Sequence, residues 1–158
     1  MADFLPRGGP VSGLTLWVDT DDSDEPVVRF LVNGRDLFGV VAPEGIGFAP
    51  EEILGPDWPL LPVVGGRRVA VYRCSCGVAG CGSIAPVIVA SEDGEYVHWV
   101  DFRNVVGVFD SPVANEVDVD PEWPGKAVDL PDLRFGMRQY VAEIERASQD
   151  RSWETLRR

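Results

Sequence analysis

The chain has 158 residues, 45% of them hydrophobic, and a formal net charge of −12. That length and apolar content suit one domain, which buries roughly 70% of the surface its unfolded form would expose. The acidic field repels phosphate and so argues against nucleic acid, while the longest apolar stretch, Ile84 to Ala90, is far too short to span a bilayer. With no basic region followed by an apolar run at its start, the chain reads as a cytoplasmic protein. Its three cysteines, an odd number, read as reduced thiols rather than a disulfide framework.

The negative charge gathers in two runs, Asp19 to Glu25 and Glu116 to Asp132. Solubility alone accounts for charge of this size; a sharper reading is a basic protein partner drawn in by electrostatic steering. Thirteen of the fourteen basic residues are arginine, Lys126 being the exception, which fits a bacterial chain from a GC-rich genome.

Residues 1–13 read as a flexible tail. Leu14 to Val18 and Val27 to Val32 are β-rich runs either side of the acidic connector, so they form a hairpin with a long solvated loop. Asn33-Gly34 is a tight-turn signal and predicts that Arg35 to Val41 returns as a third strand. From Ala42 to Pro62 five prolines leave room for a single helical turn at Glu51 to Leu54, yet Ile46, Phe48, Ile53, Leu54, Trp58, Leu60 and Leu61 are too apolar to leave in water.

Arg68 to Arg73, Ile84 to Ala90 and Glu95 to Phe102 then predict a three-stranded meander. Pro86, unable to donate to a ladder, marks a bulge or an edge. If Glu92 to Gly94 is a tight turn, Ser91 opposes Glu95 and His98 opposes Ile88, with the preceding connection close to Phe102. Near the C-terminus Gly136 is placed as a helix N-cap, with Gln139 at the third helical position and Phe135 and Tyr140 as a hydrophobic staple. Met137, Tyr140, Val141, Ile144 and Ala147 follow helical spacing and give one apolar face to cover the sheet. The expected fold is α+β: a mainly antiparallel sheet, from the N-terminal hairpin and the meander, carrying a C-terminal amphipathic helix. It occupies residues 14–148 as one domain, with 149–158 a polar tail.

The strongest chemical signal is Cys74-Ser75-Cys76-Gly77-Val78-Ala79-Gly80-Cys81-Gly82, which holds every cysteine of the chain. Three readings are open. As a packed hairpin loop, it uses glycines for unusual backbone angles and cysteines as small apolar groups. As a zinc site, it supplies Cys74, Cys76 and Cys81 and needs a fourth ligand, Asp101 or water. His98 is the only histidine, but in the expected register it lies roughly 13 Å along the sheet from the loop and reads as a satisfied core or edge residue. As a thiol site, it would draw a depressed pKa from Arg73, Arg103 and the N–H groups of Gly77, Gly80 and Gly82, but the spacing lacks C-x-x-C and no base is in reach. Arg73 and Arg103 also suggest a contact for an anion or a partner.

Other motifs fail on inspection. The run from Asp19 has Asp24 where a calcium loop needs Gly and Phe30 where it needs Glu. Gly45-Ile46-Gly47-Phe48-Ala49-Pro50 has proline in place of the third glycine of a dinucleotide fingerprint.

Three segments, Ile53-Leu54-Gly55-Pro56-Asp57-Trp58-Pro59-Leu60-Leu61-Pro62, Arg73-Cys74-Ser75-Cys76-Gly77-Val78-Ala79-Gly80-Cys81-Gly82 and Val97-His98-Trp99-Val100-Asp101-Phe102-Arg103, together resemble a family of uncharacterised actinobacterial proteins. The Phe135 to Tyr140 helix start fits the same pattern, and the resemblance spans roughly residues 50 to 145. It implies no activity or cofactor, and that family has an apolar residue where His98 stands. The expected function is a non-enzymatic binding or accessory module, for instance an acidic immunity-type protein. A small zinc-stabilised module and a thiol-dependent enzyme are the alternatives.

Overall fold

Apolar residues alternate along Leu14-Thr15-Leu16, and this segment opens strand β1 (Leu14–Thr20), which pairs antiparallel with β2 (Pro26–Val32) from Leu14↔Val32 to Thr20↔Pro26. The computed structural model describes residues 11–20, 25–36, 38–39, 45–55, 58–73, 83–105, 112–113 and 125–150. Asn33 and Gly34 adopt φ of 52° and 80°, both left-handed as a two-residue hairpin turn demands. Val32 and Arg35 exchange N–H···O bonds of 2.9 and 3.1 Å across it. The expected third strand is corrected: beyond the Arg35 bridge, the Asp36 carboxylate accepts the Gly39 N–H at 3.0 Å and turns the chain. That turn buries Phe38 instead of extending a ladder. Residues 37 and 40–41 lie outside the described residues.

After β3 (Ile46–Gly47), the single helical turn α1 (Pro50–Ile53) forms where the prolines allow one, with Pro50 in the first turn and the Glu52 carboxylate accepting the Ala49 N–H at 3.2 Å. Phe48, Ile53, Leu54 and Leu60 are buried, as their hydropathy requires, but Trp58, expected among them, is exposed. The expected meander follows: β4 (Arg67–Arg68) and β5 (Tyr72–Arg73) lie along one edge of β6 (Ser83–Ala90), and β7 (Tyr96–Val105) lies along the other. Two short strands then flank β7, β8 (Lys126–Ala127) at its far end and β9 (Leu133–Gly136) at its near end.

The hydrogen-bonded path returns on itself. The Val28 N–H of β2 donates to the Phe48 carbonyl just past β3 at 2.8 Å, and the Ser12 N–H ahead of β1 donates to the Arg134 carbonyl of β9 at 2.7 Å. The hairpin therefore bridges the two margins of the larger sheet. It also brings Ser12 and Gly13, placed in the tail from hydropathy, into the bonded structure, where Gly13 donates to the Asn33 side chain at 2.8 Å.

Inside the closure sits an aromatic cluster centred on Trp99, with the rings of Phe30, Phe38, Phe102, Phe135 and Tyr140 at centroid distances of 5.5, 6.3, 6.4, 5.6 and 6.3 Å. Helix α2 (Met137–Gln149) starts at the expected Gly136 cap and buries Tyr140, Ile144 and Ala147. Phe135 and Tyr140 pack at 5.4 Å, as the staple predicts. Gln139 does not cap its own helix. Its amide donates to the Leu14 carbonyl at 2.6 Å and accepts the Leu14 N–H at 3.0 Å. One helical turn on, the Glu143 carboxylate accepts the Leu16 N–H at 2.6 Å while Arg146 donates to the Leu16 carbonyl at 2.8 Å. The helix thus presents a row of side chains that stands in for a neighbouring strand along β1. Hydrogen bonds from Arg146 and the Leu16 N–H outweigh the cost of burying Glu143 and hold its pKa below the usual carboxylate range.

Candidate functional site

Cys74, Cys76 and Cys81 lie outside the described residues, but the root of their loop does not. Arg73, the last residue of β5, pairs with Ser83, the first of β6, and Ser83 pairs in turn with Val105. The nine intervening residues therefore start and finish side by side at the end of the sheet. Arg73 sits over the Phe48 ring at 4.9 Å, and its guanidinium lies 3.6 Å from the Glu52 carboxylate of α1. Its Nε is buried without a hydrogen-bond partner. The glutamate and the phenylalanine come from the proline-rich segment, so that segment braces the loop's base.

Register decides what else is near. The turn between β6 and β7 is one residue longer than expected: the Ser91 N–H bonds to the Tyr96 carbonyl, and Ala90 pairs with Val97. His98 consequently opposes Val89 rather than Ile88. Six residues of β6 separate Val89 from the loop root, about 20 Å at the usual rise, which takes His98 further from that root than the shorter turn implies. His98 is buried, but its Nδ1 finds no hydrogen-bond partner among the described residues, in contrast to the satisfied residue expected. Burial lowers its pKa, and the neighbouring Arg134 charge adds to that.

The second irregularity lies at Pro86, as its missing N–H foretells. The pairing slips between Ala85↔Arg103 and Val87↔Val100, so that Asp101 and Phe102 together face the proline. Asp101 takes a left-handed φ of 53°, and the extra residue turns Phe102 onto the face of Trp99, away from the face it would share with His98 in an unbroken strand. Arg68, across β6, fills the opening. Its Nη1 donates to the Ala85 and Asp101 carbonyls at 2.7 Å each, and its Nη2 donates to the Asp101 carboxylate at 2.6 Å. Arg103 donates to the other carboxylate oxygen at 3.0 Å and to the Gly125 carbonyl at 3.0 Å.

Burial opposes the charged form of Asp101, but the hydrogen bonds and charges of Arg68 and Arg103 prevail and hold its pKa below the usual aspartate range. Burial in turn lowers the pKa of Arg68. Asp101 is therefore a structural counter-ion here. It lies at the level of Pro86, three residues and about 10 Å from the loop root, with both carboxylate oxygens engaged. Arg73 and Arg103 do not converge: one is tied to Glu52, the other to Asp101 and Gly125. Among the described residues no group of three or more His, Cys, Asp or Glu side chains is arranged to hold a metal ion.

Arg68 and Glu52 escaped the sequence reading. Proline flags the bulge, but nothing in the local pattern says which distant side chain fills it.

Protein-family models, curated proteins and solved structures were each compared with the chain, and none gives a significant match.

Proposed function

We propose that the protein is a non-enzymatic binding module for a basic protein partner, in the manner of an acidic immunity-type protein. The observation that carries this reading is where the arginines go. Arg29 is held by Asp19 and Asp36, Arg68 and Arg103 by Asp101, Arg73 by Glu52, and Arg146 by Glu143. These five arginines are matched by five carboxylates, Asp19, Asp36, Asp101, Glu52 and Glu143, so the pairs cancel and the net charge of −12 resides in the other side chains. Such a field speeds encounter with a basic protein and rejects acidic ones.

The test is affinity capture with the full chain at low salt and again above about 0.5 M, where a Debye length of a few ångströms screens surface charge. Basic proteins retained at low salt and released at high salt support the reading. Recovery of no basic protein sinks it.

The zinc-stabilised module is the second reading, favoured by the Arg73↔Ser83 pairing that confines three thiols to one nine-residue loop. With Asp101 engaged by two guanidiniums, water becomes the fourth ligand for that site. Elemental analysis of protein purified without chelator decides it: about one zinc per chain with protected thiols establishes the site, and metal-free protein with three titratable thiols removes it.

A further inference from the structure

We propose that the outward face of the β1–β2 hairpin, centred on Trp17, is the surface on which the basic partner docks. This rests on the function proposed above. Leu14 and Leu16 of β1 point inward and are 1% and 3% exposed, so the strand's contribution to the core is already made by those residues. Trp17 faces the other way and is 51% exposed, although tryptophan is on average a highly buried residue. Thr15, on the same side of the strand, is exposed too.

The surroundings of Trp17 favour a cation. Its cross-strand neighbour is Arg29, the one residue of the hairpin that would repel a positive ligand. Arg29 is neutralised by Asp19 and Asp36, each at 3.0 Å. Between Thr15 and Leu31 the sequence places five carboxylates against that single arginine. A lysine or arginine of the partner can then stack on the indole as a cation–π contact. An aromatic anchor ringed by charge is the composition of an interface centre and its rim.

Among the described residues the other exposed tryptophan is Trp58, 38% exposed, but Arg67 donates to its carbonyl at 3.0 Å, with Arg68 next in sequence. A basic partner is less welcome there, and Trp58 therefore serves as the control.

The experiment measures binding of fluorescein-labelled nona-arginine to the full chain by anisotropy, with circular dichroism confirming that each variant is folded. Wild type is expected to bind at low salt, with Trp17→Ser weakening binding about two- to five-fold, the range an exposed cation–π contact supplies. Trp17→Phe should recover part of the loss, and Trp58→Ser should change nothing. Equal binding by wild type and Trp17→Ser, or an equal loss in Trp58→Ser, overturns the docking surface and leaves the acidic-module reading standing. No binding by wild type overturns both.

Discussion

Replacing Tyr140 by Phe deletes one oxygen from the centre of the fold and leaves the ring in place. That oxygen accepts the Trp99 Nε1–H at 3.0 Å and donates its own proton to the Leu60 carbonyl at 2.5 Å, and all three residues are fully buried. Burial pushes the phenol pKa far up, so the donor persists wherever the protein is folded. The variant strands one donor and one acceptor away from water, each costing about 1–3 kcal/mol. A loss of about 2–6 kcal/mol follows, equivalent to a melting temperature lower by roughly 4–24 °C in a chain of this size. Urea unfolding followed by fluorescence and circular dichroism measures it, and an unchanged slope would show that the native state stays compact. Leu60 is the anchor point of the proline-rich segment, so proteolysis between Leu54 and Gly66 should also accelerate. A loss below about 0.5 kcal/mol, less than an ordinary hydrogen bond contributes, would refute the claim that the phenol ties this segment to the sheet.

Arg68→Ala abandons the Asp101 carboxylate and two bulge carbonyls, and a loss of about 3–5 kcal/mol, as for a broken buried pair, is expected by urea unfolding; Arg68→Lys, lacking the planar fork, should recover only part of it. Because the folded pKa of Asp101 is depressed, its stabilisation is complete above the unfolded value near 4 and is lost as pH falls through the folded value, so Asp101→Asn should flatten the acid limb of the urea midpoint against pH. His98 has the opposite charge type with the same direction of shift: the unfolded chain takes up its proton first, so stability should decline as pH falls below about 6.5. His98→Gln should abolish that slope between about pH 6.5 and 5, and a wild-type midpoint flat across this window would count against the burial. Gly47→Ala would set a methyl 2.1 Å from the Val28 carbonyl, so a cooperative melt at the wild-type temperature would contradict the close approach of β2 and β3.

Features set by a few adjacent residues were legible in the sequence. The alternation of β1, the Asn33-Gly34 turn, the bulge at Pro86 and the Gly136 helix start each depend on backbone rules that act within a few positions. The third strand failed because the Asp36 carboxylate offered Gly39 a local hydrogen bond that the strand pattern did not reveal. The β6–β7 register failed by a single residue because a three- or four-residue turn leaves the same apolar residues on the two strands, and only the partner of Ser91 distinguishes them.

The candidate site was legible only as chemistry. Composition singles out the cysteine loop and its flanking arginines, but the partners of Asp101, Arg73 and Arg103 come from segments up to thirty-three residues away, and those of Leu14 from 125. Such pairings follow from closure of the sheet, which no local pattern encodes. Each arginine pair withdraws a cation and a carboxylate together, so these contacts complete the fold without changing the net charge of −12. The acidic field proposed for recognition comes instead from the carboxylates in excess of the basic residues. A variant such as Arg68→Ala, which leaves Asp101 with Arg103 alone while deleting a cation, would make the molecule more acidic and less stable at once, so stability and acidity can be varied in opposite directions.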